Sequence, residues 1–327
     1  MVRLAIIGTS KIAATFAQAA RMSGCCSLEA VYSRKEETGK AFAQIQNIPK
    51  VTVSLEELAA MDGVDAVYIA SPNSCHGSQA LAMLKAGKHV LLEKPAVPTE
   101  REFQALEEEA DRQGVIFLEA MRTAFDPGMD RIKELLEQIG PVRRATLEYS
   151  QYSSRYDAYK RGEILNAFNP ALANAAVMDI GVYAVYSLVR LFGEPQSVCG
   201  TSVFLKNGME GIGTILAGYP DMIGEVLYSK ITDSARGSQI EGEKGSVLID
   251  RIEQPGRIVV KTRGGEEQEI LLESQENPLY FEVKEFCRMA EGGLREEAAV
   301  HRERTRIQLR IMEEFRKKSG IVFPGEG

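Results

Sequence analysis

The first 23 residues place a strand and a helix on either side of a very short turn. A run of apolar residues ends at Gly8, and a helical pattern starts at Lys11. Only Gly8, Thr9 and Ser10 form the bend between them. Such a turn directs the free N–H groups and the positive end of the helix dipole at whatever lies over the bend, which favours a phosphate. The opening segment therefore predicts a parallel α/β sheet with an anion site at its edge.

The same alternation of short β-branched runs and helical stretches continues to about Leu118. This pattern is typical of βαβ units, whose right-handed crossovers build a doubly wound parallel sheet. The predicted strands are Arg3–Ile7, Leu28–Ser33, Val51–Val53, Ala66–Ala70, His89–Leu92 and Val115–Leu118. The predicted helices between them are Lys11–Met22, Lys35–Gln46, Ser54–Ala60, Ser74–Ala86 and Thr99–Arg112.

The pattern changes after Glu119. Hairpin signals such as "KNG", "EKG" and "RGG" separate many short strands between Ser197 and Leu272, which predicts an antiparallel sheet. The other predicted elements are helices Pro127–Gln138, Pro170–Leu191, Leu279–Ala290 and Val300–Lys318, and the strand Val142–Tyr149. The predicted fold class is α/β, with a doubly wound Rossmann domain at residues 1–120 and an α+β domain with a large, mostly antiparallel open sheet at residues 121–327.

Composition limits the kinds of partner. A chain of 327 residues is too long for one ordinary core, and a formal net charge of −7 argues against a phosphate-backbone partner such as nucleic acid. Five cysteines without CxxC spacing and three scattered histidines predict reduced thiols and no metal site. Neither a signal peptide nor a membrane span is predicted, so the cytoplasm is the expected location.

The opening turn resembles a dinucleotide fingerprint in part. In the pattern G-x-G-x-x-G/A, the three positions are Gly8, Ser10 and Ala13. Ser10 adds a side chain where the backbone should approach a pyrophosphate, so an ordinary strand-to-helix turn is about as well supported by this motif alone. The cofactor-binding residues predicted here are Gly8, Thr9, Ser10, Lys11 and Ile12.

The end of the second strand bears on the choice of cofactor. NAD-binding domains have an acidic residue at this strand end that accepts a hydrogen bond from the ribose 2′-hydroxyl. That residue is absent here, and the strand end carries Ser33, Arg34 and Lys35 instead. Two cations and a hydroxyl suit a 2′-phosphate, which predicts NADP with NAD as the alternative. The other interpretation is that Arg34 and Lys35 only begin a solvated helix.

Two further strand ends reach the carboxyl edge of the predicted sheet, where ligands bind in open α/β folds. The residues predicted there as cofactor contacts are Ser71, Pro72, Asn73, His76, Glu93 and Lys94. A lone histidine such as His76 is more often a packing residue beside a helix cap, and a lysine such as Lys94 is more often a solvated strand end.

Three segments together resemble a known enzyme family. They are "SPNSCHGSQALAMLKAGKHVLLEKP", "LEAMRTAF" and "NPALANAAVMDIGVY". They are similar to motifs of the glucose-fructose oxidoreductase, inositol dehydrogenase and rhizopine-catabolism (Gfo/Idh/MocA) family, and most similar to its dihydrodiol dehydrogenase branch. The resemblance extends across nearly the whole chain.

The resemblance implies catalytic roles for Lys94, Asp179 and Tyr183. Lys94 matches the lysine of the E-K-P motif, and the Lys94–Pro95 bond is then expected to be cis. Asp179 and Tyr183 match the D-x-G-x-H/Y motif, and their spacing predicts one face of a helix. Asn174, Ala175 and Ser10 replace family glycines.

These observations predict an NAD(P)-dependent oxidoreductase that moves hydride between nicotinamide and a carbinol carbon of a sugar, cyclitol or cyclic diol. Tyr183 would take the hydroxyl proton with help from the charge of Lys94, and Asp179 would hold a substrate hydroxyl or orient Lys94. Two alternatives stay open: a regulator that senses NADP or a sugar without turnover, and a cofactor-assisted lyase or glycosidase. The hairpin-rich sheet, with one face left uncovered, predicts a homodimer at least.

Overall fold

The computed structural model describes residues 1–265, 267–273 and 275–324. By contacts between residues the chain divides into two compact units. The first unit holds Met1–Arg122 and Gln275–Arg306, and the second holds Thr123–Ser274 and Ile307–Gly327.

The first unit is a parallel sheet flanked by helices. Within the described residues this sheet has six strands in the order β3-β2-β1-β4-β5-β6, which is the Rossmann order. The strands are β1 Val2–Ile7, β2 Cys26–Tyr32, β3 Lys50–Thr52, β4 Ala66–Ile69, β5 His89–Glu93 and β6 Phe117–Ala120. The helices are α1 Lys11–Ser23, α2 Glu36–Gln46, α3 Leu55–Ala59, α4 Asn73–Lys85 and α5 Glu100–Gln113.

The core of this unit forms around β1. Residues 4–7 are fully buried because β1 lies between β2 and β4 and is covered by helices. The ring of Phe16 on α1 stacks on the ring of Tyr68 on β4, with 3.6 Å between centroids. Burial on both faces explains why residues 4–7 of β1 and all of β4 are continuous apolar runs.

Residues 275–306 differ from the predicted domain division, which placed them in the second domain. They include helix α10, Tyr280–Gly292, which contacts α1. The side-chain amide of Asn277 donates to the carbonyl of Thr15 at 2.9 Å. Contacts this distant in sequence leave no local pattern.

The second unit is built on a mixed sheet. Within the described residues it has eight strands in the order β14-β13-β12-β11-β7-β10-β9-β8, and every neighbouring pair is antiparallel except β7 with β10. The strands are β7 Val142–Ser150, β8 Ser197–Phe204, β9 Glu210–Gly218, β10 Ile223–Ser229, β11 Ser238–Gly242, β12 Gly245–Ile249, β13 Arg257–Thr262 and β14 Glu267–Leu271. The predicted fold class is confirmed, and the hairpin turns lie where the three glycine signals predict them.

The helices of the second unit cover one face of this sheet. They are α6 Arg122–Phe125, which begins in the first unit, α7 Pro127–Leu135, α8 Tyr156–Lys160 and α9 Val182–Phe192. Helix α11, Arg295–Ser319, contributes its residues from 307 onward. Alternation along β10 buries Val226 and Tyr228 on the helix-covered face and leaves Ile223 and Leu227 on the other.

The predicted helix Pro170–Leu191 is wrong as one continuous element. The structure has short 3₁₀ turns at Asn166–Phe168 and Pro170–Leu172, a π-helical turn at Val177–Gly181, and then α9. The break falls at Ala173, whose φ of 57° is left-handed. Asp179 therefore lies in a π turn and Tyr183 in an α-helix, so their spacing of four does not have the predicted helical geometry.

Several other element boundaries also differ from the sequence pattern; β2, for example, begins at Cys26 rather than Leu28. Strand β6 begins two residues later than predicted. Helix α11 begins at Arg295 rather than Val300, and Glu296 and Glu297 in its first turn favour that earlier start.

Among the described residues, no helix is long and apolar enough to cross a membrane.

Gly8 provides a test of how closely β1 and β4 approach. Its φ is +112°, and a Cβ built there would lie 2.6 Å from the carbonyl oxygen of Ala70. Gly24 also has a positive φ, +63°, but a Cβ there meets nothing within 4 Å. Gly24→Ala should therefore cost about 1 kcal/mol of unfolding free energy from backbone conformation alone. Gly8→Ala should cost about 3 kcal/mol, because the strands must also move apart.

Urea unfolding of both variants measures this difference. Equal losses for Gly8→Ala and Gly24→Ala would show that the close approach to Ala70 contributes nothing.

Candidate active site

The turn between β1 and α1 presents unpaired backbone donors. The Ser10 hydroxyl caps α1 by accepting from the Ala13 N–H at 3.4 Å, so the side chain that replaces the fingerprint glycine has a local role. Among the described residues, no acceptor pairs with the backbone N–H of Lys11 or Ile12. Because these donors are at the start of a helix, the turn is suited to bind a pyrophosphate.

The segment after β2 separates one buried hydroxyl from two exposed cations. Ser33 is 6% exposed, and its hydroxyl contacts the Thr38 hydroxyl at 2.7 Å. Arg34 and Lys35 are exposed, and neither forms an ion pair with another described residue. The structure thus leaves both cations accessible to a phosphate, whereas Ser33 mainly holds the start of α2.

His76 lies in the interior of the first unit. It is 1% exposed, its Nδ1 lies 3.0 Å from the carbonyl oxygen of Pro95, and its Nε2 lies 3.0 Å from that of Ser71. Burial lowers the pKa of His76 and favours the neutral ring, which has a single N–H to donate. The geometry is that of a packing residue which joins the ends of β4 and β5. A direct contact with cofactor stays a prediction.

The other residues at the end of β4 begin helix α4. Pro72 is its N-cap and Asn73 its first residue, and both are half-buried. The Ser71 hydroxyl donates to the side-chain oxygen of Gln79 at 2.6 Å. These contacts fix the shape of the turn, and the cofactor contacts of its side chains stay predictions.

Glu93 and Lys94 end β5 in different environments. Glu93 is 7% exposed and accepts a hydrogen bond from the Tyr68 hydroxyl, and its other oxygen accepts from the Lys94 N–H at 3.2 Å. Burial raises the pKa of Glu93. Lys94 is half-buried, and the Lys94–Pro95 bond is cis as the resemblance implies. Glu93 therefore supports the backbone of Lys94 from within the core.

In the second unit, Tyr183 and Asp179 lie on the helix-covered face of the sheet. The ring of Tyr183 packs edge-on against the ring of Tyr149, with 5.6 Å between centroids. The Asp179 side chain is 36% exposed, and its Oδ2 lies 2.8 Å from the Nζ of Lys230. The π turn that holds Asp179 is anchored by Glu210, whose Oε2 accepts from the Val177 N–H at 2.8 Å.

Sequence reasoning missed Lys230 and Glu210. Lys230 directly follows β10, where a lysine normally indicates a solvated strand end, and Glu210 begins β9 after a turn. Both are 1% exposed. Burial raises the pKa of Glu210. Alternation along β10 was the available signal for Lys230, because it places that side chain on the same face as Val226 and Tyr228. Alternation gives no such signal for Glu210, because the register of β8 with β9 shifts beside it.

Comparison with known proteins identifies both parts of the chain. Residues 2–121 match the family model described as "Oxidoreductase family, NAD-binding Rossmann fold" (GFO_IDH_MocA), and residues 129–248 match the GFO/IDH/MocA C-terminal domain.

Two curated relatives and one solved structure illustrate the similarity. The chain is 40% identical over 326 residues to scyllo-inositol 2-dehydrogenase (NADP(+)) IolU of Bacillus subtilis, covering 100% of this chain and 99% of that protein. It is 29% identical to mouse trans-1,2-dihydrobenzene-1,2-diol dehydrogenase, covering 90% and 89%. KijD10, a 3-ketoreductase from Actinomadura kijaniata solved with NADP and TDP-benzene, superposes with a TM-score of 0.87 at 20% identity, covering 97% and 98%, and so shares the fold.

The exposed cation Arg34 predicts a preference that can be measured. A lost hydrogen bond to a charged group costs about 1.5–3 kcal/mol, so Arg34→Ala should weaken NADP binding about tenfold or more and leave NAD binding nearly unchanged. Calorimetric titration with both cofactors measures this. Lys85→Ala is the control, because it removes one exposed charge from the far end of α4. Equal affinity of the wild type for NADP and NAD would contradict the assignment.

Proposed function

Because the chain belongs to the Gfo/Idh/MocA oxidoreductase family, we propose that it is an NADP-dependent dehydrogenase of a cyclic polyol, with a cyclitol as the first candidate. The family membership itself makes the chain an NAD(P)-dependent oxidoreductase that acts on a carbinol carbon. The more specific proposal, NADP as cofactor and a cyclitol as substrate, is supported by one observation. The chain is 40% identical along its whole length to a protein named as an NADP-dependent scyllo-inositol 2-dehydrogenase.

The cofactor would be held mainly by the first unit. The N–H groups at the start of α1 would bind the pyrophosphate, close to Gly8, and Arg34 with Lys35 would bind the 2′-phosphate. The remaining proposed contacts are Thr9, Ser10, Ser33, Ser71, Pro72, Asn73, His76, Glu93 and Lys94. When bound, the nicotinamide accepts the hydride that leaves the carbinol carbon.

The chain's own residues would handle the proton. Oxidation of a carbinol releases a hydride from carbon and a proton from oxygen, and we assign the proton to the Tyr183 hydroxyl. A phenol in water has a pKa of about 10, so it accepts a proton at neutral pH only where a cation favours its ionised form. We assign that cation to Lys94. Asp179, whose carboxylate is partly exposed, would accept a hydrogen bond from a substrate hydroxyl.

Two other functions predict different behaviour. A regulator that senses NADP or a sugar would bind cofactor without turnover, although it has no need of a proton-transferring group. A lyase or glycosidase that returns its hydride would consume substrate without net NADPH. NADPH absorbance, followed across inositols, sugars, dihydrodiols and dicarbonyls, separates these functions from a dehydrogenase. The proposal fails if product forms without NADPH, or if no compound in this panel changes it.

Tyr183 and Lys94 should behave as one proton-transfer unit. Tyr183→Phe should lower kcat by about 10² to 10⁴ while NADP still binds, because the hydroxyl proton loses its acceptor. Lys94→Ala should lower kcat similarly, and the double variant should be little worse than either single one. Steady-state turnover, melting temperature and NADP affinity of the three variants measure this.

Tyr219→Phe is the matched control for the loss of a phenol hydroxyl. Its hydroxyl donates to the carbonyl of Gly193 at 3.0 Å in the second unit, so its loss should leave kcat within about twofold. If Tyr183→Phe keeps most of the wild-type kcat, or if the losses from Tyr183 and Lys94 multiply, the proton-transfer assignment is wrong.

We also propose that the chain forms a homodimer through the open face of its second sheet. Leu216 and Ile223 are 41% and 47% exposed there, and Leu227 lines a depression of about 710 Å³ on the same face. Register places Leu216 opposite Glu225, so these side chains form one surface. A stable dimer buries about 800 Å² per partner, which such a sheet face can supply.

A cytoplasmic location stays a prediction.

Light scattering at micromolar concentration should give twice the 36.0 kDa mass of one chain. Leu227→Glu should shift the protein towards the monomer, because a twofold contact brings the new charge close to Glu225 and to its own copy. Ile45→Glu is the control, since Ile45 is 74% exposed on α2 in the first unit. A wild-type mass of 36.0 kDa, or a Leu227→Glu variant that stays dimeric, would contradict this interface.

A further inference from the structure

Lys230 is a buried cation in the second unit. Its side chain is 2% exposed, whereas that of Asp179, its partner, is 36% exposed. Lysine is almost never fully buried without a partner, because removing an ammonium from water is costly. The ammonium must therefore be paired within the second unit.

Three different groups surround the Lys230 ammonium. Its Nζ lies 2.8 Å from the Asp179 Oδ2 and 2.8 Å from the carbonyl oxygen of Ala167. It also lies 4.9 Å from the ring centroid of Phe168, a distance at which a cation is attracted to an aromatic face. Lys230 thus joins the π turn that carries Asp179 to the 3₁₀ turn at Asn166–Phe168.

The Asn166–Phe168 turn is held from other directions as well. The side-chain amide of Asn174 donates to the carbonyls of Asn166 and Asn169, at 2.7 and 3.2 Å. The amide of Asn207 donates to the Phe168 carbonyl at 2.8 Å. The Phe168 ring stacks with Tyr156 at 5.6 Å. The turn and its aromatic cluster therefore form one fixed body, and Lys230 connects that body to Asp179.

We propose that Lys230 is a positioning residue, which fixes the Asp179 carboxylate against the Asn166–Phe168 turn so that a polyol hydroxyl meets an acceptor in one orientation. This proposal rests on the proposed function, in which Asp179 contacts substrate. The difference in exposure supports the division of roles: the carboxylate reaches solvent and the ammonium does not. Lys230 acts through Asp179 and has no contact of its own with substrate.

The first experiment is a double-mutant cycle on turnover. Lys230→Met removes the charge and keeps an unbranched side chain that is one atom shorter. It should lower kcat/KM for the polyol at least tenfold, mainly by raising KM, with NADPH affinity within twofold of wild type. Asp179→Asn should also lower kcat/KM. The double variant should be little worse than Asp179→Asn, because Lys230 acts through that carboxylate. The proposal would be overturned if the losses of kcat/KM from the two single variants multiply in the double variant. It would also be overturned if the kcat/KM of Lys230→Met stays within twofold of wild type.

Lys318→Met is the matched control. The Nζ of Lys318 also contacts a carbonyl and a carboxylate in the second unit, those of Val198 and Glu314, at 2.7 and 2.6 Å. If Lys318→Met raises KM as much as Lys230→Met does, the effect is general to the unit and the proposal is wrong. Lys230→Arg keeps the charge, so it should fold even if Lys230→Met does not, and it should still raise KM at least fivefold by displacing Asp179.

A second readout needs no turnover. The sequence contains no tryptophan, so Tyr156→Trp provides one fluorophore against Phe168. In this background Lys230→Met should increase acrylamide quenching at least twofold, and Lys318→Met should leave it unchanged. If wild type turns over no polyol, the proposed function fails, and the quenching still decides whether Lys230 holds the turn. Unchanged acrylamide quenching in Lys230→Met would show that Lys230 does not hold the Asn166–Phe168 turn, and would overturn the proposal.

Discussion

The burial of β1 between β2 and β4 is the constraint on which the first unit depends. Residues 4–7 are fully buried, and the bend by which the chain leaves β1 brings Gly8 against the backbone of Ala70. Strand order reverses around β1, because β2 and β4 lie on its two sides. Open α/β folds bind ligands where strand order reverses, and here the start of α1 adds the N–H groups of Lys11 and Ile12, which pair with no acceptor in the described part of the chain. The packing of one strand thus determines where a dinucleotide can bind.

The second unit depends on a different property, the alternation of side chains along β10. Val226, Tyr228 and Lys230 point to the helix-covered face, and Ile223 and Leu227 point away from it. The inward set supplies the partner of Asp179, whereas the outward set supplies the surface proposed for dimerisation. One strand therefore serves two proposed roles because its two faces are chemically different.

The replaced glycines have local structural explanations. Ser10 caps α1, and the Asn174 amide holds the carbonyls of Asn166 and Asn169. Neither side chain requires a loss of catalysis, so these departures give the regulator alternative little weight. The retained Lys94, Asp179 and Tyr183 favour an enzyme, and the exposed Arg34 and Lys35 favour NADP.

The sequence by itself determined the fold class, the turn at Gly8, the hairpins and the family, because these depend on side-chain period, glycine conformation and local motifs. Periodicity could not locate the break at Ala173, since that break is stabilised by the Asn174 side chain reaching back across the turn. It also could not assign residues 275–306 to the first unit or Lys230 to Asp179. The tertiary structure determines both of these assignments. A buried charge or helix face needs a complementary partner, and that partner lies far away in the sequence.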